Sequence, residues 1–252
     1  VPILEREENG LIYKYEYLPD TNLLSAKFTC LGETIVKREF WGYDHNNLLI
    51  YEIVDDGSAA ERNDCSHVAE RHKKDYILDP GSGLPVDIRE IYWDPRSGHD
   101  RLLQSIHLTY SPAKQVIAED IYDSEGVHRY TLRTEYDAYG RILRKTAPLS
   151  QESIYSYDAV GNLASSKEPS SEKRFGYDAA GRQTYCHDVR TGTSTSTTYD
   201  VKGRTLSQTD SKGNSVYHIY DGFGRCVQTK FSEALDENGR TYTPTVHFTY
   251  DI

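Results

Sequence analysis

The chain has 252 residues, enough for a sizeable core, and a formal net charge of −10, which argues against a surface built for nucleic-acid phosphates. Hydrophobic residues are 37% of it, and no run approaches the ~20 apolar residues of a membrane-spanning helix, although 21 Tyr and 6 Phe supply enough apolar surface to exclude a disordered chain. Cys30, Cys65, Cys186 and Cys226 lie far apart with no Cys-x-x-Cys pair, which excludes a zinc knuckle and a dense disulfide framework. In chain order, Leu11–Leu18, Leu23–Leu31 and Thr34–Tyr43 alternate as strands, with Pro19-Asp20 and Gly32 between them. Asn47, after Asp44-His45-Asn46, occupies a slot where a left-handed residue closes a turn. The stretch 55–67 is the least strand-like. Ser58-Ala59-Ala60-Glu61 there has the spacing of a capping box, so a short helix or an Ω-type loop is expected. Asp79-Pro80-Gly81-Ser82-Gly83 and Asp94-Pro95-Arg96-Ser97-Gly98 read as turns.

From Tyr122 onward one motif dominates. Tyr-Asp-x-x-Gly begins at Tyr122, Tyr136, Tyr157, Tyr177, Tyr199 and Tyr220, and from Tyr136 its spacing stays between 20 and 22 residues. Arg follows the glycine at Arg141, Arg182, Arg204 and Arg225, and Asn162 takes that place once. Counting Asp210–Gly213 and Asp236–Gly239, Asp-x-x-Gly occurs eight times, against about 1.5 for a random order of this composition.

The motif has the chemistry of a hairpin turn. Asp at its first position accepts a hydrogen bond from a backbone N–H two residues on, and Gly at its fourth supplies the positive φ of a type I turn with a G1 bulge. The residues expected to carry these turns are Asp137, Gly140 and Arg141; Asp158 and Gly161; Asp178, Gly181 and Arg182; Asp200, Gly203 and Arg204; and Asp221, Gly224 and Arg225. Each Arg is placed to reach back to a carboxylate or to lie over a Tyr face. Between turns the pattern has period two: Tyr155 and Tyr157, Phe175 and Tyr177, His218 and Tyr220, and Val246, Phe248 and Tyr250 share faces. Each unit of about 21 residues is therefore a β-hairpin that must pair with its neighbours to satisfy its edges. The expected fold is all-β: tandem antiparallel hairpins in a long sheet that curves or spirals. Residues 1–120 are its degenerate form, with an irregular insertion near 55–67, and residues 121–252 its regular form, in one continuous repeat domain with no linker rich in Pro, Gly and Ser. The chain contains no Met and ends on Tyr250-Asp251-Ile252, the opening of the motif, so a fragment of a longer polypeptide is expected.

Signals for chemistry are sparse. Cys65-Ser66-His67, with His72 nearby, is the best nucleophile–base combination, yet nothing in the sequence marks the third, orienting group. His107, His218 and His247 fall in strands. Asp55-Asp56 and Glu7-Glu8 lack the spacing of an oxygen cage, and Gly222-Phe223-Gly224 lacks the strand-to-helix context of a phosphate loop. Thr191–Thr198 reads as a hairpin tip with its flanking strand. No catalytic, cofactor-binding or metal-binding residue is assigned, and no enzyme activity is expected.

Tyr-Asp-x-x-Gly-Arg at this spacing resembles the YD (Rhs) repeat of bacterial Rhs proteins, of the C subunits of Tc insecticidal toxin complexes and of animal teneurins. The regular match runs from Tyr122 to the end of the chain, and a looser one reaches back to about Tyr13. The bacterial branch fits better, because no Asn-x-Ser/Thr sequon occurs. The resemblance implies a segment of a hollow shell that encloses a C-terminal toxin or effector. The implied partners are the remainder of the shell, that effector and a secretion or toxin-complex component, with no nucleic acid and a secreted or cell-surface location. Asp79-Pro80-Gly81-Ser82-Gly83-Leu84 is only superficially similar to the family's Asp-Pro-x-Gly-Leu autocleavage motif, since it lies upstream of the regular repeats and has an extra residue. The alternative is a surface adhesion module whose exposed Tyr rings stack on sugars or meet a protein receptor. Tyr at a fixed register in every repeat favours the scaffold, because such a register suits a ladder across neighbouring strands.

Overall fold

The structure, a computed structural model, describes residues 4–8, 10–235 and 237–250. Among these there is no α-helix, and so none that could cross a membrane; the single helical element is a 3-10 turn at Pro148–Ser150. The chain divides into two compact units, Val1–Thr134 and Glu135–Ile252.

The first unit holds β1 (Leu4–Glu8), β2 (Leu11–Tyr17), β3 (Leu24–Leu31), β4 (Thr34–Tyr43) and β5 (Leu49–Asp55). It continues with β6 (Arg71–Leu78), β7 (Pro85–Asp94), β8 (His99–Tyr110), β9 (Val116–Asp123) and β10 (His128–Tyr136), whose last two residues belong to the second unit. Each strand pairs antiparallel with the next in sequence. The apolar core is small: Ala26, Phe28 and Cys30 of β3 are buried, with Ile12, Ile35 and Phe40 packed against them. Phe28 meets Phe40 edge-on at 5.8 Å.

Residues 56–70 form a loop with no helix, although Ser58–Glu61 has a capping-box spacing. The Ser58 hydroxyl instead accepts the N–H of Ala69 at 2.9 Å and so ties the start of the loop to its end. A cation holds the loop down. The fully buried Arg38 of β4 gives Nε and Nη2 to the two carboxylate oxygens of buried Asp55 at 2.7 and 3.0 Å. Its other donors go to the carbonyls of Glu61 and Arg62, at 2.9 and 2.8 Å, and of Asp64, at 2.9 Å. All five N–H groups of the guanidinium are thus used, three of them on loop carbonyls. Arg62, carried by the same loop, lies over the Phe28 ring at 4.0 Å.

The second unit holds β11 (Ile142–Ala147), β12 (Gln151–Tyr157), β13 (Leu163–Lys167), β14 (Glu172–Tyr177), β15 (Gln183–Asp188), β16 (Thr193–Tyr199), β17 (Thr205–Asp210), β18 (Ser215–Tyr220) and β19 (Cys226–Phe231). These again pair antiparallel in sequence order. A small hairpin of β20 (Ala234–Leu235) and β21 (Thr241–Tyr242) is then inserted, and β22 (Thr245–His247) returns to pair with β19. That insertion is why the last Tyr-Asp pair follows Tyr220 by more than one repeat length. Asp236, Asp251 and Ile252, which the motif reading includes, lie outside the described residues. Among the described residues of this unit only Ser166 and Thr229 are buried, and no apolar side chain is. A second packed sheet would bury alternate side chains of every strand it covered, so the repeats form a single layer and not a sandwich.

Candidate functional site

With so little apolar burial, the second unit must gain order from polar contacts, and these are concentrated at the repeated turns. The turn at Asp200 shows the pattern. The Asp200 N–H donates to the Arg204 carbonyl at 2.9 Å and the Gly203 N–H to the Asp200 carbonyl at 3.0 Å, the bonding of a type I turn with a G1 bulge. One carboxylate oxygen accepts the N–H groups of Lys202 and Arg204 at 2.8 and 2.9 Å, and the other accepts Arg204 Nε at 2.6 Å. Gly203 has φ +84°, and Gly140, Gly161, Gly181 and Gly224 have +82°, +104°, +76° and +89°. A Cβ on Gly203 would have nothing closer than 3.9 Å, so the position demands glycine for its φ and not for space. Gly203→Ala is accordingly expected to cost about 1 kcal/mol, read as a shift in urea midpoint.

Asp137–Arg141, Asp178–Arg182 and Asp221–Arg225 repeat the arrangement, with Nε to carboxylate distances of 2.7, 2.7 and 2.8 Å. At Asp158 the partner is Asn162, whose amide nitrogen reaches the carboxylate at 3.0 Å.

A second irregularity follows each turn. The register slips by one residue between Ser156 and Tyr157, Gly176 and Tyr177, Thr198 and Tyr199, and Ile219 and Tyr220. Two residues of the returning strand thus face one of its partner. The next repeat covers the start of that bulge. The hydroxyls of Tyr157, Tyr177, Tyr199, Tyr220 and Tyr250 donate to the carbonyls of Ile142, Leu163, Gln183, Thr205 and Cys226, at 2.9, 3.0, 2.8, 2.8 and 2.8 Å. In every case the acceptor is the second residue after the preceding motif glycine. Tyr43 and Tyr110 reach Leu24 and Pro85 in the same way in the first unit, at 2.9 and 2.7 Å.

The turn arginines complete the link. Arg141, Arg182, Arg204 and Arg225 lie over the rings of Tyr157, Tyr199, Tyr220 and Tyr250 at 4.4, 4.9, 4.5 and 4.9 Å. Arg182 also donates to the Asp200 carbonyl at 2.9 Å. Each Asp therefore orients its Arg, the Arg covers the next Tyr, and that Tyr ties back to the strand after the Arg. Asn162 is too short to reach the Tyr177 ring. Asn162→Arg is expected to stabilise the second unit by about 0.5–1 kcal/mol by restoring the ion pair and the ring contact, measured by thermal melting.

The turn carboxylates titrate below their ordinary range. At Asp178 the backbone N–H of Arg182 is the main cause, and at Asp158 and Asp221 it is the side-chain bond from Asn162 and Arg225. A folded-state pKa below the unfolded one, near 3.9, means that the folded chain binds fewer protons. This contribution to stability is full above about pH 4 and is lost as pH falls through the lower folded values. A fall in urea midpoint between pH 5 and pH 2.5 is expected, and Asp→Asn at 178, 200 and 221 together should flatten it.

Other candidates from the sequence are placed as follows. In the loop 56–70, the Asp64 carboxylate accepts from Ser66 and pairs with His67 Nδ1 at 2.7 Å, while the Ser66 hydroxyl meets the same Nδ1 at 3.0 Å. A base that activates serine would use its other ring nitrogen, so no relay is assembled. Burial pushes the Cys65 thiol up, away from the thiolate a nucleophile needs. Asp56 caps Ser58 and the N–H of Glu70, and Asp79 caps Ser82 in its Pro-Gly turn. His107 pairs with Asp87, His218 with Thr229 and His247 with Gln228. Among the described residues no three His, Cys, Asp or Glu side chains gather as a metal site. The Arg38 anchor and the Tyr-to-carbonyl bonds are not evident from local motif chemistry, although the constant spacing from Tyr to the preceding glycine was a signal for the latter.

Residues 136–173 and 157–185 match the family model of the RHS repeat. Residues 136–185 carry the RHS repeat. These matched residues contain the turns at Asp137, Asp158 and Asp178. No curated protein sequence matches the chain. Among solved structures, the crystal structure of TcdB2-TccC3-TEV is 14% identical over 98% of this chain, with a TM-score of 0.52. The Photorhabdus luminescens Tc holotoxin pore is 15% identical over 92% of this chain and 14% of the other, with a TM-score of 0.45. The chain spans about 15% of the length of the TcdB2-TccC3-TEV chain, and that likeness carries the fold.

Proposed function

We propose that this chain is a structural scaffold, a section of wall in a YD-repeat shell that encloses a C-terminal toxin or effector. The observation that carries this reading is the ladder itself. Asp of each repeat is spent on its own turn, and Arg and Tyr on the neighbouring repeat, which makes the sheet extensible by like units and leaves no side chain of the motif for catalysis. The likeness in fold to a much longer Tc-toxin chain supports the same reading. The remainder of the shell and the enclosed effector are the proposed partners, with a secretion or toxin-complex component beyond them and a secreted or cell-surface location. Binding of sugars by the motif tyrosines is the weaker reading, because the rings of Tyr157, Tyr199 and Tyr220 are covered by arginine and their hydroxyls are engaged.

The test is limited proteolysis of the full-length protein against its isolated C-terminal segment. Enclosure predicts that the segment survives in the intact protein under conditions that degrade it alone. Equal rates of degradation would reject the shell role.

A further inference from the structure

The turn at Asp44, in the first unit, has the backbone of the motif turns without their side chains. The Asp44 N–H donates to the Leu48 carbonyl at 2.9 Å and the Asn47 N–H to the Asp44 carbonyl at 3.0 Å, while the Asp44 carboxylate accepts the Leu48 N–H at 2.9 Å. Asn47, at φ +63°, thus holds the glycine position, and Leu48 holds the arginine position. Leu48 also follows the path of those arginines. A Cβ on Gly83, in the turn between β6 and β7, would lie 2.9 Å from Leu48 Cδ1, just as a Cβ on Gly161 would lie 3.3 Å from Arg141 Nη1.

The tyrosine of this rung is replaced as well. Leu78 pairs with Pro85 across a register slip that follows Ile77, as Tyr43 pairs with Leu49 after Gly42 and Tyr110 with Val116 after Thr109. Tyr43 gives its hydroxyl to the Leu24 carbonyl and Tyr110 to the Pro85 carbonyl. By the same spacing the acceptor opposite Leu78 is the Leu49 carbonyl, and leucine has no hydroxyl to give it. The β5–β6 ladder ends at Tyr51 and Asp75, two residues short of Leu49. The β17–β18 ladder likewise ends at Ser207 and Tyr217, two residues short of Thr205, whose carbonyl takes the Tyr220 hydroxyl. Leu49 therefore stands in the position of Thr205, with no tyrosine on its carbonyl.

Leucine is shorter than arginine and shorter than tyrosine, so both halves of the rung are cut back. A pocket of about 270 Å³ lies at this place, lined by Leu48, Leu49, Tyr76, Leu78, Gly83 and Pro85. We propose that it is a binding site for a small neutral phenol. The ring of the ligand fills the space that a tyrosine ring and an arginine take up in other rungs, and its hydroxyl donates to the Leu49 carbonyl. The walls select this chemistry. They are largely apolar and carry no charged side chain, so an ion would lose its hydration with nothing to pair with. The volume falls below the roughly 300 Å³ at which drug-sized sites begin, which suits a single ring. The rungs on either side, at Tyr43 and Tyr110, show that a phenol hydroxyl is the donor this acceptor position takes.

Methyl NMR of the chain titrated with p-cresol tests the proposal. The methyl groups of Leu48, Leu49 and Leu78 are expected to shift saturably, with a dissociation constant on the order of 1 mM, the range open to so small a ligand. The ether p-methylanisole has the same ring but no hydroxyl proton, and should bind about fivefold more weakly, the worth of one hydrogen bond. Leu78→Tyr restores the rung, so it should abolish the shifts at Leu48 and Leu49, with far-UV circular dichroism verifying its fold. The proposal is overturned if the three leucines do not respond to p-cresol, or if the ether binds as tightly as the phenol. It is equally overturned if folded Leu78→Tyr binds p-cresol like the wild type. The first two comparisons use the wild type alone and decide the matter even if the variant does not fold.

Discussion

Arg38→Ala is expected to destabilise the first unit by about 3–5 kcal/mol, the largest effect of any single substitution in this chain. The loss is not that of one ion pair. Removing the guanidinium leaves the Asp55 carboxylate buried without its partner cation, and it takes the donors away from the carbonyls of Glu61, Arg62 and Asp64. Arg62 would then lose the frame that holds it over Phe28, so the apolar core should open along with the loop. Urea denaturation followed by circular dichroism measures the change. Arg38→Lys should recover little, because an ammonium has three donors and no fork to match the carboxylate. Arg38→Met with Asp55→Leu should recover part of the loss, since it removes both buried charges and leaves the loop carbonyls and the Gly57 N–H unpaired. A cost below about 1 kcal/mol for Arg38→Ala would mean that the loop is not held by this cation.

Tyr→Phe at positions 157, 177, 199 and 220 together should lower the stability of the second unit by about 4 kcal/mol. Each substitution keeps the ring under its neighbours and removes one hydroxyl-to-carbonyl bond, worth about 1 kcal/mol. Of the acceptors, Leu163, Gln183 and Thr205 each sit at the start of a bulge where the ladder is interrupted, and Ile142 holds the same place after its turn glycine. The four sites are in successive repeats and touch different carbonyls, so their effects should be close to additive. A urea midpoint that falls in four roughly equal steps, at constant slope, is the expected result. A single large step at one tyrosine would indicate one critical hairpin in place of a repeating ladder.

The sequence by itself determined the elements that depend on neighbouring residues. An Asp carboxylate that bonds the N–H two residues on, a Gly free to take positive φ and an alternating strand on either side are local physics. Hence the hairpins, their antiparallel pairing and their repeat length were legible from Tyr-Asp-x-x-Gly alone. The strands from Leu11 to Tyr43 were legible for the same reason and end within a residue of their expected bounds.

Only the tertiary structure decided where each side chain finds a partner beyond its own turn. Arg204 can choose its own carboxylate or a Tyr face in the sequence; in the fold it takes both, because the next hairpin lies two strands away. The capping-box spacing at Ser58 did not produce a helix. Arg38, some twenty residues earlier in sequence, offers three donors to the carbonyls of that loop, and this distant bonding outweighs a local preference worth about 1 kcal/mol. Burial also had to be seen. An arginine in an alternating strand reads as a solvated face, and only the loop folded over it makes Arg38 fully buried. Local hydrogen bonding therefore sets the repeat, whereas long-range desolvation sets the one place where the repeat is broken.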